Sequence, residues 1–210
     1  MAESILKHTA STMTIMVLFS LVGTAFLAKT YLVTKAPIEA SEAIEKMKSF
    51  EEVLPASQYD NYLLKDFIDI PAGGELSNRN ATKAYIARLK GRASAVILEA
   101  TARDGYSGDI KLLIAVRIDG SIGGVRVIAH KETPGLGDYI EIAKDNWIKH
   151  FDNLSLAARP TEQWKVKKDG GQFDYMAGAT ITPRAVVKAT QKALAYVEAN
   201  KARFFADRTN

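Results

Sequence analysis

Residues 93–130 read ASAVILEATARDGYSGDIKLLIAVRIDGSIGGVRVIAH, and this stretch decides the fold. Three β-branched, apolar runs (93–102, 110–118 and 124–130) are separated by loops that carry Asp104-Gly105 and Asp119-Gly120. Asp-Gly pairs supply the backbone conformation of tight chain reversals, so the runs are expected to pair as hairpins of an antiparallel sheet. Toward the C-terminus, IEIAKDNWIKHF (140–151) sets Ile140, Ala143, Trp147, Ile148 and Phe151 at helical spacing. From Pro183 to about Phe205, Val186, Thr190, Ala193, Leu194 and Val197 fall on one stripe. Both segments are expected to be helices. Toward the N-terminus, PAGGELSNRNA (71–81) reads as a loop, and PIEASEAIEKMKSFEEVL (37–54) favours helix, with Pro37 suited to its first turn. The fold class that follows is α+β, an antiparallel sheet with flanking helices.

Further out lies TASTMTIMVLFSLVGTAFLA, residues 9–28, without a single charge. At about 1.5 Å per residue such a helix covers about 30 Å, one hydrocarbon thickness. A cleaved signal peptide is the competing reading. The run exceeds the usual ~7–15 apolar residues of such a peptide, and Phe26 stands where cleavage needs a small side chain, so a retained anchor is expected. Lys7 precedes the span while Lys29 and Lys35 follow it, so charge bias leaves the orientation undecided. The expected organisation is a short N-terminus (1–8), a transmembrane anchor (9–28), a helical and loop linker packing on the domain (29–92) and the sheet domain (93–210).

Composition removes several chemistries. The chain has no cysteine, which excludes a disulfide framework, Cys-ligated zinc, Cys-held iron–sulfur clusters and thiol catalysis. The net charge of +4 is spread along the chain without the basic stripe of a nucleic-acid surface. His8, His130 and His150 are far apart in sequence and in no ligand spacing, so no metal site is expected.

Three glycine-punctuated stretches remain. On local evidence DGYSGD (104–109) is a wide hairpin loop. HKETPGLGDYIE (130–141) is either a plain strand-to-helix connection or a loop whose Gly135 and Gly137 bring backbone amides close to a bound group, ahead of a helix with its positive end. It is not G-x-G-x-x-G, and no P-loop lysine follows. FDYMAGATITPRAVV (173–187) reads as a helix start with Thr182 as N-cap and Pro183 in the first turn. That cap leaves the small residues Ala177, Gly178 and Ala179 around Thr180 unexplained. A phosphate on Thr180 would lie beside the helix N-terminus, which favours an anion.

D-x-x-A-G-A-T at 174–180 resembles D-x-x-(S/T)-G-A-T, the acceptor motif of flavin transferases, whose final threonine is esterified to the phosphate of FMN. GYSGDIKLLIAV, HKETPGLGDYIE and KKDGGQFDYMAGATITPRAVV occur in that order behind an N-terminal anchor. Together they closely resemble the G subunit of the Rnf ion-translocating electron transport complex, over essentially the whole chain. The C subunit of the sodium-pumping NADH:quinone oxidoreductase is a more distant relative with the same FMN-binding domain. A non-redox anchored binding or assembly module, with Thr180 unmodified, is the reading of a different class.

The resemblance implies covalent FMN on Thr180, with Asp174, Gly178 and Ala179 read by an FMN transferase and Thr182 supporting the phosphate. Ala177 departs from the pattern, which has Ser or Thr there. It implies that Tyr106, Ser107, Glu132, Thr133, Gly135, Leu136 and Gly137 lie against the flavin. Leu136 and Tyr139 would offer the ring apolar surface, while Glu132 or Lys131 would shift its potential in opposite senses. It places residues 93–210, as an FMN-binding domain, on the periplasmic side of the bacterial inner membrane. Its partners would be other subunits of a complex coupling ferredoxin–NAD electron transfer to movement of Na+ or H+. No catalytic residue of its own is expected. Enzymatic activity belongs to the complex.

Overall fold

The computed structural model describes residues 2–206. The chain forms two compact units, one up to Lys46 and one from Met47 onward. The first unit is helix. α1 spans Ala2–Val53 and is long and apolar enough to cross a membrane, with Leu18, Phe19, Leu21 and Phe26 all exposed. Pro37 does not begin a new helix, as its first-turn preference suggests, but sits inside α1. It removes one ladder bond there, a cost of about 3 kcal/mol, and the helix continues on both sides of it.

The second unit is built on a sheet of five strands in sequential order, every neighbour antiparallel. The strands are β1 Phe67–Ile70, β2 Thr82–Leu89, β3 Arg92–Ala102, β4 Ile110–Arg117 and β5 Ile122–Ala129. Alternation along them sorts side chains into two cores. Tyr85, Ala87, Ala95, Ile97, Leu113 and Ala115 face a layer made by Phe50, Val53, Leu54 and Leu63. Their neighbours Ala84, Ile86, Val96, Leu98, Leu112 and Ile114 face the larger core, shared with α2 (Ile181–Ala199). The middle strands are therefore buried on both faces, which explains their near-continuous apolar runs.

The expected stripe on α2 is buried at Val186, Thr190, Ala193, Leu194 and Val197. α2 ends at Ala199, before the expected limit, and a four-residue α3, Lys201–Phe204, follows Asn200. Two expectations are corrected. β1 and β2 lie within 29–92, so that segment is not merely helix and loop. Residues 140–151 do not form an α-helix; they make short 3-10 turns at Asp138–Ile140 and Asn146–Phe151. The Asp145 carboxylate accepts from the Trp147 amide at 2.7 Å and restarts the chain there. Trp147, Ile148 and Phe151 still reach the core.

Candidate functional site

Three loops converge beside the start of α2. They are the β3–β4 connection (103–109), the segment leaving β5 (130–137) and the segment entering α2 (174–180). Between them lies a cleft of about 340 Å³, at the lower end of the range for small-molecule sites. Eight of the residues singled out from sequence line it: Tyr106, Glu132, Thr133, Leu136, Gly137, Gly178, Ala179 and Thr182. Ile181 lines it too and was not foreseen, although it directly follows the threonine in question. Ser107, Gly135, Asp174 and Thr180 are not part of the lining. Thr180 nevertheless sits half-buried between two lining residues, as the residue before the first turn of α2.

The floor of the cleft is polar and closed. Glu132 is only 4% exposed. Its Oε1 accepts from the Ser107 amide at 3.0 Å and its Oε2 from the Thr182 hydroxyl at 2.5 Å. A Cβ on Gly137 would stand 2.9 Å from both Glu132 Oε2 and Thr182 Oγ1, so only glycine lets the loop close. The rim is apolar and open. Tyr106, Leu136 and Ile181 are 70%, 46% and 44% exposed.

The helix cap differs from expectation. Thr182 is buried inside the first turn, and its hydroxyl goes to Glu132 rather than to a helix amide. The glycine amides differ as well. The Gly135 N–H donates to Asp138 Oδ1 at 2.8 Å and the Gly137 N–H to the Thr133 carbonyl at 3.0 Å, so neither is left for an anion. The turn that follows is three residues long, too short to present a helix terminus. At α2 the first-turn amides of Ile181 and Thr182 have no intrahelical acceptor, and Pro183 has no N–H.

The 174–180 segment is fixed from below. Trp147 Nε1 donates to the Asp174 carbonyl at 2.8 Å, and the Met176 amide donates to Tyr139 Oη at 3.4 Å. Tyr139 is buried, its ring edge-on to Trp147, and it does not line the cleft. It therefore offers no surface to a ring there. Burial pushes the Tyr139 phenol up to about 12, opposed by the Met176 N–H and reinforced by Asp145. The Asp174 carboxylate pairs with Lys167 Nζ at 2.5 Å on the surface. Lys131 is exposed and outside the lining.

The Ala179 N–H closes a turn onto the Met176 carbonyl at 3.0 Å. Its third residue, Gly178, has φ +87° and open space where a Cβ would be. Thr180 follows that turn. Apolar side chains at the mouth, a polar floor and a hydroxyl beside a helix start suit a partly apolar group with an anionic end.

Comparison with known proteins bears on what that group is. The family of the FMN-binding domain matches residues 105–195, which contain every lining residue. The G subunit of the ion-translocating oxidoreductase complex of Pseudomonas aeruginosa is 49% identical over 189 residues, 90% of this chain and 88% of the relative. The chain belongs to this G-subunit family. The proteins of the same name from Vibrio atlanticus and Aliivibrio fischeri are 40% and 41% identical, over 93% and 86% of this chain and equal shares of their own lengths.

Proposed function

We propose that this chain is an electron-relaying flavoprotein subunit of an ion-translocating oxidoreductase complex, carrying FMN esterified through its phosphate to Thr180. The observation that carries the reading is the place of Thr180. It follows the Met176–Ala179 turn, precedes α2 directly, and stands between two residues of the cleft lining. The family match over the same residues and the G-subunit relatives support it.

Bound FMN supplies one- and two-electron transfer, and the protein supplies placement. Tyr106, Leu136 and Ile181 give the ring apolar surface, and Glu132 and Thr182 form the polar floor. The amides of Ile181 and Thr182, with the α2 dipole, favour the phosphate. A phosphoester tether makes retention independent of affinity. An FMN transferase installs it, reading Asp174, Gly178 and Ala179. The domain lies on the periplasmic side of the bacterial inner membrane, α1 anchors it, and the partner subunits couple ferredoxin–NAD electron transfer to movement of Na+ or H+. The apolar α1 and the family membership support the anchor.

The test is flavin fluorescence of denatured protein in a gel, from cells that also make the transferase. Wild type is expected to fluoresce and Thr180→Val to be dark. A dark wild-type band overturns the proposal.

A further inference from the structure

We infer that Glu132 is the positioning residue of the cleft: one buried carboxylate holds the surrounding loops in register through its shape and hydrogen bonds, not through its charge. The inference rests on the FMN reading only for what the cleft holds. Each carboxylate oxygen is met by a different segment, Oε1 by the Ser107 amide of the β3–β4 loop at 3.0 Å and Oε2 by the Thr182 hydroxyl of α2 at 2.5 Å. The Glu132 amide in turn donates to His130 Nδ1 at 2.9 Å, which fixes the stem of the side chain. Glycine permits the closure on both sides. A Cβ on Gly137 would stand 2.9 Å from Oε2, and one on Gly105, which would already collide with the Gly108 carbonyl, would stand 3.0 Å from Oε1.

Both donors to the carboxylate are neutral. A buried carboxylate loses its hydration, and only complete hydrogen bonding offsets that cost. Glutamine keeps the reach and can satisfy both partners, its carbonyl accepting from Ser107 and its NH2 donating to Thr182 Oγ1. Aspartate, one methylene shorter, spans to only one of them, and alanine to neither. A role in positioning therefore ranks glutamine near wild type and aspartate near alanine; a role in charge ranks them the other way.

The experiment uses the full chain in detergent, made without the transferase, and follows hydrogen exchange at the Ser107 amide. Glu132→Ala and Glu132→Asp are expected to speed exchange by about tenfold or more, and Glu132→Gln by less than about twofold. If Glu132→Ala does not fold, Thr182→Val provides the second variant; it frees Oε2 at similar volume and is expected to speed Ser107 exchange by about threefold or more. Equal exchange in wild type and the folded variants overturns the inference, and so does Glu132→Gln behaving like Glu132→Ala. In the flavin-loaded protein, iodide quenching of fluorescence is expected to rise in Glu132→Ala and not in Glu132→Gln; equal quenching in both overturns it. The exchange measurement needs no flavin, so it still decides if Thr180 carries none.

Discussion

Trp147 ties the segment before Thr180 to the core by a single hydrogen bond, from its Nε1–H to the Asp174 carbonyl at 2.8 Å. The same indole packs edge-on against Tyr139 and Phe151, at centroid distances of 5.6 and 5.5 Å. Packing and tether can be separated by Trp147→Phe, which keeps an aromatic ring and removes the donor. The variant is expected to lose about 1 kcal/mol in urea denaturation. Proteolysis within residues 174–178 should become faster. An unchanged cleavage rate would mean that the segment is held by other contacts.

Tyr139 makes this region sensitive to alkaline pH. Its phenol titrates at about 12 in the folded chain against an ordinary value of 10.0, chiefly through burial. Between those values the unfolded chain gives up its proton while the folded chain keeps it. Stability is therefore full below pH 10 and falls as pH rises toward about 12. The loss attributable to this group, allowing for partial screening by solvent, is roughly 2 kcal/mol. Tyr139→Phe lacks the group, so the wild type should lose that much relative to the variant across the window. Parallel stability curves for the two proteins would show that the phenol is not the source.

Close approach of backbone governs where the end of α1 meets β5. A Cβ on Gly124 would stand 2.9 Å from both the Cα and the carbonyl oxygen of Val53. Neither is the end of a flexible side chain, so Gly124→Ala must push the two segments apart. The expected cost is about 1–3 kcal/mol, the usual range for overpacking. A chemical denaturation midpoint equal to wild type would show that the end of α1 yields freely.

The middle of the sheet was legible because β3 and β4 are buried on both faces, and their apolar runs admit little else. β2 was not legible, since TKAYIARL carries charges at Lys83 and Arg88 that the fold accommodates locally. Lys83 Nζ lies 3.7 Å from the centre of the Phe67 ring, and Arg88 Nε pairs with Asp66 at 2.7 Å. Residues 140–151 have helical spacing, but Asp145 caps a new turn within them, and spacing does not register a restart. At the site, the motifs pointed to loops that the fold brings together around one cleft, and several of their groups are bonded differently from expectation. The bond between Glu132 and Thr182 joins residues 50 positions apart, and nothing local to either announces it. Gly137 does allow close approach, but it is the Glu132 and Thr182 side chains that come close, whereas Gly135 has open space around it and serves its turn through a φ of +76°.

Ala177 stands where the motif that residues 174–180 resemble has Ser or Thr. Ala177 is exposed, as the second residue of the turn closed by the Ala179 N–H on the Met176 carbonyl. Gly178, the third residue, carries the demanding conformation at φ +87°. A side chain there meets no atom within 4 Å, so the penalty for Gly178→Ala is backbone strain alone, about 1–2 kcal/mol. That strain is local to an exposed turn and is most cheaply relieved by reshaping it, which moves Thr180 away from the start of α2. Gly178→Ala should therefore leave the melting of the domain nearly unchanged and lower the fraction of chains that become fluorescent by several-fold. Ala177→Ser should change neither, because the turn is set by Gly178 and not by a hydroxyl beside it. Intact-protein mass spectrometry of the two variants, made together with the transferase, measures both fractions. A marked rise in flavin loading in Ala177→Ser would assign the missing hydroxyl a part in the transfer and would overturn the primacy of the turn.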